Sequence, residues 1–306
     1  MLTCDTYLSP GSLNEALAAA AASAGQFRFV AGATDLLPWA REGRAGDVHV
    51  PLMIDIAGVP ELKSVKVQGD RLWLGAATPF QRFLDRAELI EMAPGMPDCA
   101  IWFADNQIRE SATIGGNVIN ASPAADSIPP LLAANAIVEL AVLRDGGIRR
   151  RRMPLSEFLK GPGLTAAEHG EILLGVECDA LPDHGGAFEK VGHRRSLVIS
   201  VVCLSALVRM DASCRSFQDV RLAIGGVGPM ARRMTAVEEW LKGRTVSAEL
   251  LRSVMAMCDE FIQSRTRQEY RKQVAPGFLM RALAKAMKRA GASETACAIA
   301  EEVVSG

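Results

Sequence analysis

The chain has almost no charge imbalance and no long apolar run. Its 306 residues carry 34 Lys and Arg against 35 Asp and Glu, which gives a formal net charge of −1 at pH 7. A nucleic-acid-binding protein usually carries a basic excess, so this balance removes the electrostatic argument for that function. No apolar stretch approaches the roughly 20 residues of a membrane-spanning helix. We therefore expect neither a nucleic-acid partner nor a transmembrane segment.

The seven cysteines and four histidines lack the spacing of a metal site. No two cysteines lie close enough for a CxxC or CxxxxC motif, and no two histidines are placed like zinc ligands. The odd cysteine count in a chain of this length also argues against a secreted disulfide scaffold. We expect most of these thiols to be small buried groups in a reducing cytoplasm.

Length and composition favour a packed protein of about two domains. Apolar residues make up 49% of the chain and charged residues 23%, which is enough to form a core. The alanine-rich N-terminal stretch lacks the basic region of a signal peptide and starts at Ser12, a favourable helix cap. This stretch therefore predicts an amphipathic helix.

Local patterns predict an α/β lobe and two hairpins in the first half of the chain. The expected elements are a helix over 12–24, strands within 26–37 and over 50–56, hairpins over 65–77 and 137–155, a helical stretch over 78–103, and a strand, a glycine-rich turn and a helix across 107–136. Thr78 is the expected cap of the helical stretch, with Pro79 in its first turn. Arg149–Arg152 are expected on a solvated strand edge, with a docking patch as the alternative.

The pattern changes after Pro182-Asp183, which marks the expected domain boundary. Two or three antiparallel strands are predicted across 185–211 and from 217 onward, and helices over 235–262 and 276–304. The fold class predicted from these elements is α+β, with a larger N-terminal domain and a smaller sheet-plus-helices domain after it.

Two glycine-rich turns are the candidate ligand sites, at Val30–Asp35 and Thr113–Asn117. Glycine lets backbone N–H groups approach a diphosphate without an intervening Cβ. Neither turn is a GxGxxG motif and the chain has no GxxxxGK[ST] motif, so the Rossmann and P-loop interpretations fail. From the pattern alone, a purely structural turn is the more common outcome at each. Few acid–base residues accompany these turns, which suggests that a bound cofactor carries the chemistry.

The residues around the second turn resemble a known family. The stretches Gln107–Arg109, Ala112–Asn117 and Asn120–Asp126 closely resemble the second FAD-binding stretch of the molybdenum hydroxylase flavoproteins, and Val30–Leu37 resembles the first. That family includes the FAD subunits of aerobic carbon monoxide dehydrogenase and bacterial xanthine dehydrogenase. Further matches follow in the family order at 161–165, 171–174, 188–190, 223–229 and 267–271, so that the resemblance covers nearly the whole chain.

The resemblance implies a fold, a cofactor and a division into domains. The implied fold is a two-lobed FAD-binding domain of the PCMH (vanillyl-alcohol-oxidase-like) type over 1–178, with lobes of about 1–57 and 58–178, and then a C-terminal flavoprotein domain over 183–306. The implied cofactor-binding residues are Phe29, Val30, Ala31, Gly32, Ala33, Thr34, Asp35, Leu36, Phe103, Thr113, Ile114, Gly115, Gly116, Asn117, Asp126, Leu173 and Lys190. No catalytic side chain and no metal ligand is expected.

Within that set the resemblance implies distinct roles. Phe29–Leu36 would wrap the diphosphate, and Thr113–Asn117 would donate backbone N–H groups and the Thr113 hydroxyl to it. Asp126 would accept from the adenosine ribose or its neighbourhood, and Lys190 would place positive charge near the flavin. Phe103 matches an aromatic position near the isoalloxazine, and Leu173 a position flanking the flavin or its adenine side.

The chain departs from the family pattern at two places. Ala33 replaces the usual second glycine of AGGTD, which we take to exclude positive φ there at little cost. Ser264–Arg267 is bulkier and more basic than the usual small-residue element, which puts partner docking in doubt and not FAD binding. The cysteine-rich insertion that holds an extra cluster in one branch of the family is missing, so no iron–sulfur cluster is expected in this chain.

The function implied is that of an FAD-dependent oxidoreductase subunit in the cytoplasm. It would take electrons from a [2Fe–2S] small subunit and pass them to NAD⁺, a quinone or oxygen, while a molybdopterin-binding large subunit holds the substrate in a three-chain complex. The alternatives are a stand-alone FAD-dependent oxidoreductase of the same fold with its own organic substrate, and a binding module that has lost the cofactor. The intact residues Thr113–Gly116 and Asp126 argue against the last.

Overall fold

The computed structural model describes residues 1–42, 48–194, 198–263 and 266–305. Within these ranges the chain forms three larger sheets and one two-stranded ribbon, with helices packed on and between them. None of the helices described there is long and apolar enough to cross a bilayer. In the same ranges no three His, Cys, Asp or Glu side chains are placed to share a metal ion.

The first lobe is a parallel three-stranded sheet in the order β1-β3-β2. Its elements are β1 Leu2–Leu8, α1 Leu13–Ala22, β2 Phe27–Val30, α2 Leu36–Arg41 and β3 Val48–Asp55. The predicted cap of α1 is confirmed, because the Ser12 hydroxyl accepts from the Glu15 N–H at 3.2 Å. The turn 31–35 leaves the carboxyl end of β2, which is where ligands commonly bind in sheets of parallel strands.

The second lobe is an antiparallel five-stranded sheet in the order β4-β5-β10-β6-β7. Its strands are β4 Val65–Gln68, β5 Arg71–Gly75, β6 Ile137–Arg144, β7 Gly147–Pro154 and β10 Ile172–Asp179, and a small ribbon pairs β8 Leu159–Gly161 with β9 Leu164–Thr165. Both predicted hairpins are confirmed. Asp145 and Gly146 have φ values of 52° and 72°, as expected for a tight type I′ hairpin turn.

The arginine run lies on β7, an edge strand, as predicted. Arg150 Nη1 lies 3.1 Å from Glu139, and Arg151 Nε lies 2.6 Å from Glu171. The edge therefore has acidic partners on β6 and just before β10, and this agrees with the interpretation of a solvated strand edge.

The helical stretch of the second lobe differs from the prediction. It consists of α3 Arg82–Asp85, α4 Ala87–Met92, α5 Met96–Trp102, α6 Asn106–Ser111, α7 Ile114–Asn120, α8 Ile128–Ala133 and, after β7, α9 Leu155–Phe158; a 3₁₀ turn covers Pro60–Lys63. Thr78 caps no helix, because its buried hydroxyl has no hydrogen-bond partner among the described residues and α3 begins only at Arg82; Pro79 instead forms a single β-bridge with Thr113. The expected strand near 107 is also wrong: Asp105 caps α6 there by accepting from Ile108 N at 2.9 Å.

The C-terminal part is an antiparallel four-stranded sheet in the order β11-β12-β13-β14, backed by helices. Its elements are β11 Gly185–Val191, β12 Val202–Met210, β13 Phe217–Gly225, β14 Arg232–Arg233, α10 Thr235–Leu241, α11 Ala248–Ala256, a 3₁₀ turn over Met257–Phe261, α12 Gln268–Arg289 and α13 Glu294–Ser305. The predicted helix over 276–304 is two helices, and α12 runs through Pro276. The Glu269–Arg271 element lies in the first turn of α12.

The cysteines are free, and four of the seven are buried: Cys99, Cys178, Cys203 and Cys258. Burial raises the pKa of Cys178 and of Cys258 to about 12. Burial also raises the pKa of Cys99 well above its ordinary value. These thiols therefore remain protonated, and Cys99 is a packing residue of α5 as predicted.

A buried carboxylate joins the second lobe to the C-terminal part. Asp98 in α5 accepts from Arg289 Nη1 at 2.7 Å, and Lys285 Nζ lies 3.0 Å from it. Burial alone would raise the pKa of Asp98, but Arg289 and Lys285 outweigh burial and hold the pKa below its ordinary value. The charged form of Asp98 is therefore the one that stabilises the fold.

Replacing Asp98 by Asn should lower the free energy of unfolding by about 1–3 kcal/mol at pH 7, because two cations lose a charged acceptor. A carboxyl with a lowered folded-state pKa stabilises above its unfolded pKa, and that stability is lost as pH falls through the folded value. The difference between wild type and Asp98→Asn should therefore shrink below about pH 4. Urea denaturation followed by circular dichroism at pH 7 and pH 3 measures this. Asp183→Asn, at an exposed carboxylate, is the control; equal losses in both variants would contradict the assignment.

Candidate functional site

The turn 31–35 is held against the second lobe by a contact between backbones. A Cβ on Gly32 would lie 1.9 Å from the Ser111 carbonyl oxygen, so only glycine fits there. Asn120 strengthens the junction, because its Nδ2 donates to Asp35 Oδ2 at 2.8 Å. The two glycine-rich stretches singled out in the sequence are therefore neighbours in space.

The first stretch, residues 29–36, has packed apolar side chains at its ends, and the backbone N–H groups between them are available to a ligand. Phe29 packs against the core of the first lobe, and Val30 and Leu36 are buried beneath the turn. In the described part of the chain, no protein acceptor receives the backbone N–H groups of residues 31–36, and the first such bond is Leu37 N to Ala33 O at 3.0 Å. Successive N–H groups without acceptors form the concave arrangement of donors that binds anions.

Ala33 adopts a left-handed conformation with φ of 54°. The expectation that alanine excludes positive φ here is wrong, because the turn imposes the conformation that the family's glycine would take freely. A non-glycine residue in this region costs roughly 1 kcal/mol. The turn is therefore strained at Ala33.

The second stretch is the start of a helix and not an open turn. Thr113 caps α7, and its Oγ1 accepts from Gly116 N at 3.0 Å. Ile114 N donates to Thr78 O and Gly115 N donates to Ala76 O, at 3.0 and 2.8 Å.

The capping bonds change the donors that this stretch can offer. Asn117 N also has a protein acceptor, the Thr113 carbonyl, so the expected amide donors of residues 114–117 are occupied. Because Thr113 Oγ1 accepts the capping bond, its hydroxyl hydrogen stays available. Thr113 therefore offers its hydroxyl to a ligand, together with its own N–H, which has no protein acceptor among the described residues.

Gly115 and Gly116 serve the packing of α7. A Cβ on Gly115 would lie 2.5 Å from the Cβ of Ala76 and 2.7 Å from its carbonyl oxygen. A Cβ on Gly116 would lie 3.1 Å from Thr113 Oγ1. These glycines let α7 lie against the end of β5, which keeps Thr113 beside the first turn.

A cleft of about 510 Å³ opens where the two stretches meet. Gly32 and Thr113 both line it, and so do Ala31 from the first turn and Ser111 from α6. Three basic side chains line its wall: Lys63, Arg82 and Arg86. The cleft combines backbone donors, a hydroxyl and positive charge, and this is the donor set that a diphosphate requires.

Asp126 and Lys190 form a buried ion pair between the second lobe and the C-terminal part. Lys190 Nζ lies 2.7 Å from Asp126 Oδ2, and the two side chains are 3% and 8% exposed. Ser200 Oγ donates to Asp126 Oδ1 at 2.6 Å. Burial raises the pKa of Asp126, and Lys190 and Ser200 oppose that rise. Each carboxylate oxygen of Asp126 therefore accepts from one protein donor. A contact of Asp126 with the adenosine ribose or its neighbourhood, which the resemblance implies, stays a prediction.

Phe103 and Leu173 lie away from the mouth of the cleft. The Phe103 ring stacks on Phe80 at 3.9 Å, and Arg109 Nη1 donates to the Phe103 carbonyl at 3.1 Å. Leu173 is buried in β10. Among the described residues, no ring contact or hydrogen bond joins either side chain to the cleft or to the ion pair. Their proposed contacts with a cofactor stay predictions.

Several residues of the site escape sequence reasoning. Ser200 has no motif of its own, and Arg109 and Asn120 lie in the family stretch without an assigned role. The basic side chains of the cleft come from a 3₁₀ turn and from α3, which no pattern connects to the glycine-rich stretches. Of the unusual Ser264–Arg267 element, residues 264 and 265 lie outside the described residues.

Comparison with known proteins identifies related chains. Residues 3–178 match the family model for the FAD-binding domain in molybdopterin dehydrogenase, and residues 187–286 match the model for the CO dehydrogenase flavoprotein C-terminal domain. The caffeine dehydrogenase subunit beta of Pseudomonas sp. (strain CBB1) is 27% identical, over 94% of this chain and 96% of that protein. The carbon monoxide dehydrogenase medium chain of Hydrogenophaga pseudoflava is 27% identical, over 92% and 97%.

A solved structure shares the fold. Carbon monoxide dehydrogenase from Hydrogenophaga pseudoflava contains a chain that superimposes with a TM-score of 0.83 at 24% identity, covering 92% of this chain and 97% of the other. The architecture described above is therefore the fold of that chain over almost its whole length.

Ala33→Gly should raise the free energy of unfolding by about 0.5–1 kcal/mol, because the strain at positive φ exceeds the entropy that glycine adds to the unfolded chain. Urea unfolding of the purified chain measures it. Ala31→Gly is the matched control, since Ala31 has no positive φ and should lose stability on the same change. Equal effects at both positions would show that Ala33 is not strained.

Proposed function

Since this chain belongs to the family of FAD-binding subunits of molybdopterin-dependent dehydrogenases, we propose that it carries electrons between an iron–sulfur subunit and a separate acceptor. Family membership confirms the predicted two-domain α+β fold, the oxidoreductase class and the FAD cofactor. The observation that carries the proposal is the cleft between the open turn 31–35 and Thr113, because its donors suit a diphosphate.

In the proposed site the two stretches have different tasks. The N–H groups of residues 31–36 bind the FAD diphosphate, and the Thr113 hydroxyl donates to it. The residues Phe29, Val30 and Leu36 hold the turn from below, and Gly115 and Gly116 hold α7 in place. Bound FAD accepts electrons one or two at a time, so that it can link one-electron and two-electron partners.

Lys190 is proposed as the fixed positive charge beside the cofactor. Its bond to Asp126 fixes its ammonium group, and Ser200 and the Val198 carbonyl, 3.2 Å from Nζ, complete the surroundings. A buried cation stabilises negative charge that develops nearby, and it is screened little by salt. Asp126 acts in this proposal by positioning Lys190.

The proposed assembly has three kinds of chain. Electrons arrive from a [2Fe–2S] small subunit and leave to NAD⁺, a quinone or oxygen, and a molybdopterin-binding large subunit oxidises the substrate in the cytoplasm. Relatives of this chain are named as parts of dehydrogenases for substrates as different as caffeine and carbon monoxide. Since they align over nearly their whole length, we infer that substrate choice lies on another chain. The proposed domains are 1–178 and 183–306.

Gly32→Ala should abolish FAD retention in a chain that remains folded, because the new Cβ would push the open turn away from Ser111. The flavin-to-protein absorbance ratio after gentle purification measures retention, and circular dichroism reports the fold. Gly58→Ala is the control, since a Cβ there meets nothing within 4 Å. A normal flavin ratio in folded Gly32→Ala would contradict the proposed place of the diphosphate.

Purification of the native protein under gentle conditions should yield two further chains, one of them carrying paired [2Fe–2S] clusters detectable by electron paramagnetic resonance. The chain alone should hold FAD but show no substrate-dependent turnover. A single-chain flavoprotein that oxidises an organic substrate by itself would contradict the assembly and favour the stand-alone oxidoreductase.

A further inference from the structure

Three basic side chains from separate positions in the sequence meet on the wall of the cleft. Lys63 ends the 3₁₀ turn after the first lobe, Arg82 begins α3, and Arg86 follows α3 directly. All three are exposed. We call Lys63, Arg82 and Arg86 the basic rim.

Few acidic side chains neutralise the positive charge of the basic rim. Arg86 lies 3.5 Å from Glu88, an exposed pair that contributes little. Within the described residues, the side chains of Lys63 and Arg82 have no ion pair or hydrogen bond. Among the described residues that line the cleft, Glu110 of α6 is the only acidic one. A chain with a net charge of −1 thus concentrates positive charge at one opening.

We propose that the basic rim attracts and retains the phosphate groups of a nucleotide bound in the cleft, in the first place the diphosphate of FAD. The inference rests on the proposed function, since Gly32 and Thr113 line the same cleft. The N–H groups of the turn supply directional donors, and the rim adds net charge that neutral donors lack. Glu110, which also lines the cleft, opposes this attraction.

If the basic rim acts in this way, the affinity for FAD should depend on salt concentration. Variants of the rim and of Glu110 should change that affinity in opposite directions. Exposed charges act over the Debye length, which is about 30 Å at 0.01 M salt and about 3 Å at 1 M. Arg82→Gln and Lys63→Gln should each weaken FAD binding about threefold to fivefold at low salt, and less than about twofold at 1 M. Glu110→Gln should tighten binding about twofold at low salt.

The experiment titrates the full deflavinated chain with FAD and follows the quenching of FAD fluorescence at both salt concentrations. Arg82→Lys keeps the charge and should restore most of the affinity. Arg149→Gln removes the same charge from the exposed edge strand β7, and should leave the affinity within about twofold of wild type if the effect is local.

A second titration distinguishes the phosphate groups of FAD from those of an electron acceptor. In it the FAD-loaded chain is titrated with ADP, which serves as a probe for a dinucleotide acceptor. If the rim variants weaken FAD binding, the rim serves the resident cofactor; if they weaken only ADP binding, it serves the acceptor. If neither affinity changes, or if Arg149→Gln has the same effect as Arg82→Gln, the proposal is wrong. A wild-type chain that binds no FAD at all would instead overturn the proposed function.

Discussion

The site depends on one close approach between two backbones. Gly32 lies so near the Ser111 carbonyl that a methyl group could not be inserted. This contact places the carboxyl edge of a parallel sheet against a helical segment of another lobe, and it leaves the N–H groups of the turn without protein acceptors. The strained Ala33 shows that the contact dictates the local conformation, even against the preference of the residue.

A different kind of interaction joins the C-terminal part to the lobes. Asp98 meets Arg289 and Lys285, and Asp126 meets Lys190, with each carboxylate largely removed from solvent. Buried ion pairs of this kind add little net stability compared with an apolar contact. A buried charge that loses its partner, however, strongly destabilises the fold, so the pairs favour one relative placement of the two parts. These charge pairs lie beside a shared apolar core, because Phe188, Cys203 and Leu207 of the C-terminal part belong to the same buried cluster as residues of the second lobe.

Sequence reasoning succeeded where the signal was local. Ser12 caps its helix and Asp145-Gly146 turns its hairpin because the interactions that decide each outcome lie within a few residues. It failed at α6 and α7, each less than two turns long, where apolar periodicity is too short to read. Thr113 and Gly115–Gly116 look like a loop in sequence. They become a capped helix because Thr113 Oγ1 accepts from Gly116 N and the carbonyl of Ala76, directly after β5, accepts from Gly115 N.

Sequence reasoning is limited in the same way at the candidate site, where interactions between distant residues decide which atoms are available to a ligand. Asp126 and Lys190 are 64 residues apart, and nothing in the sequence indicates that they neutralise each other. Family resemblance brings both residues near a cofactor, but it does not say which atoms remain free to touch it. Hydrogen bonds narrow that choice: Asp126 already accepts from Lys190 and Ser200, and the amides at the start of α7 have protein acceptors, whereas those of residues 31–36 have none among the described residues. In the proposed site, recognition of the diphosphate therefore falls mainly to the first turn, and the second stretch contributes the donors of Thr113.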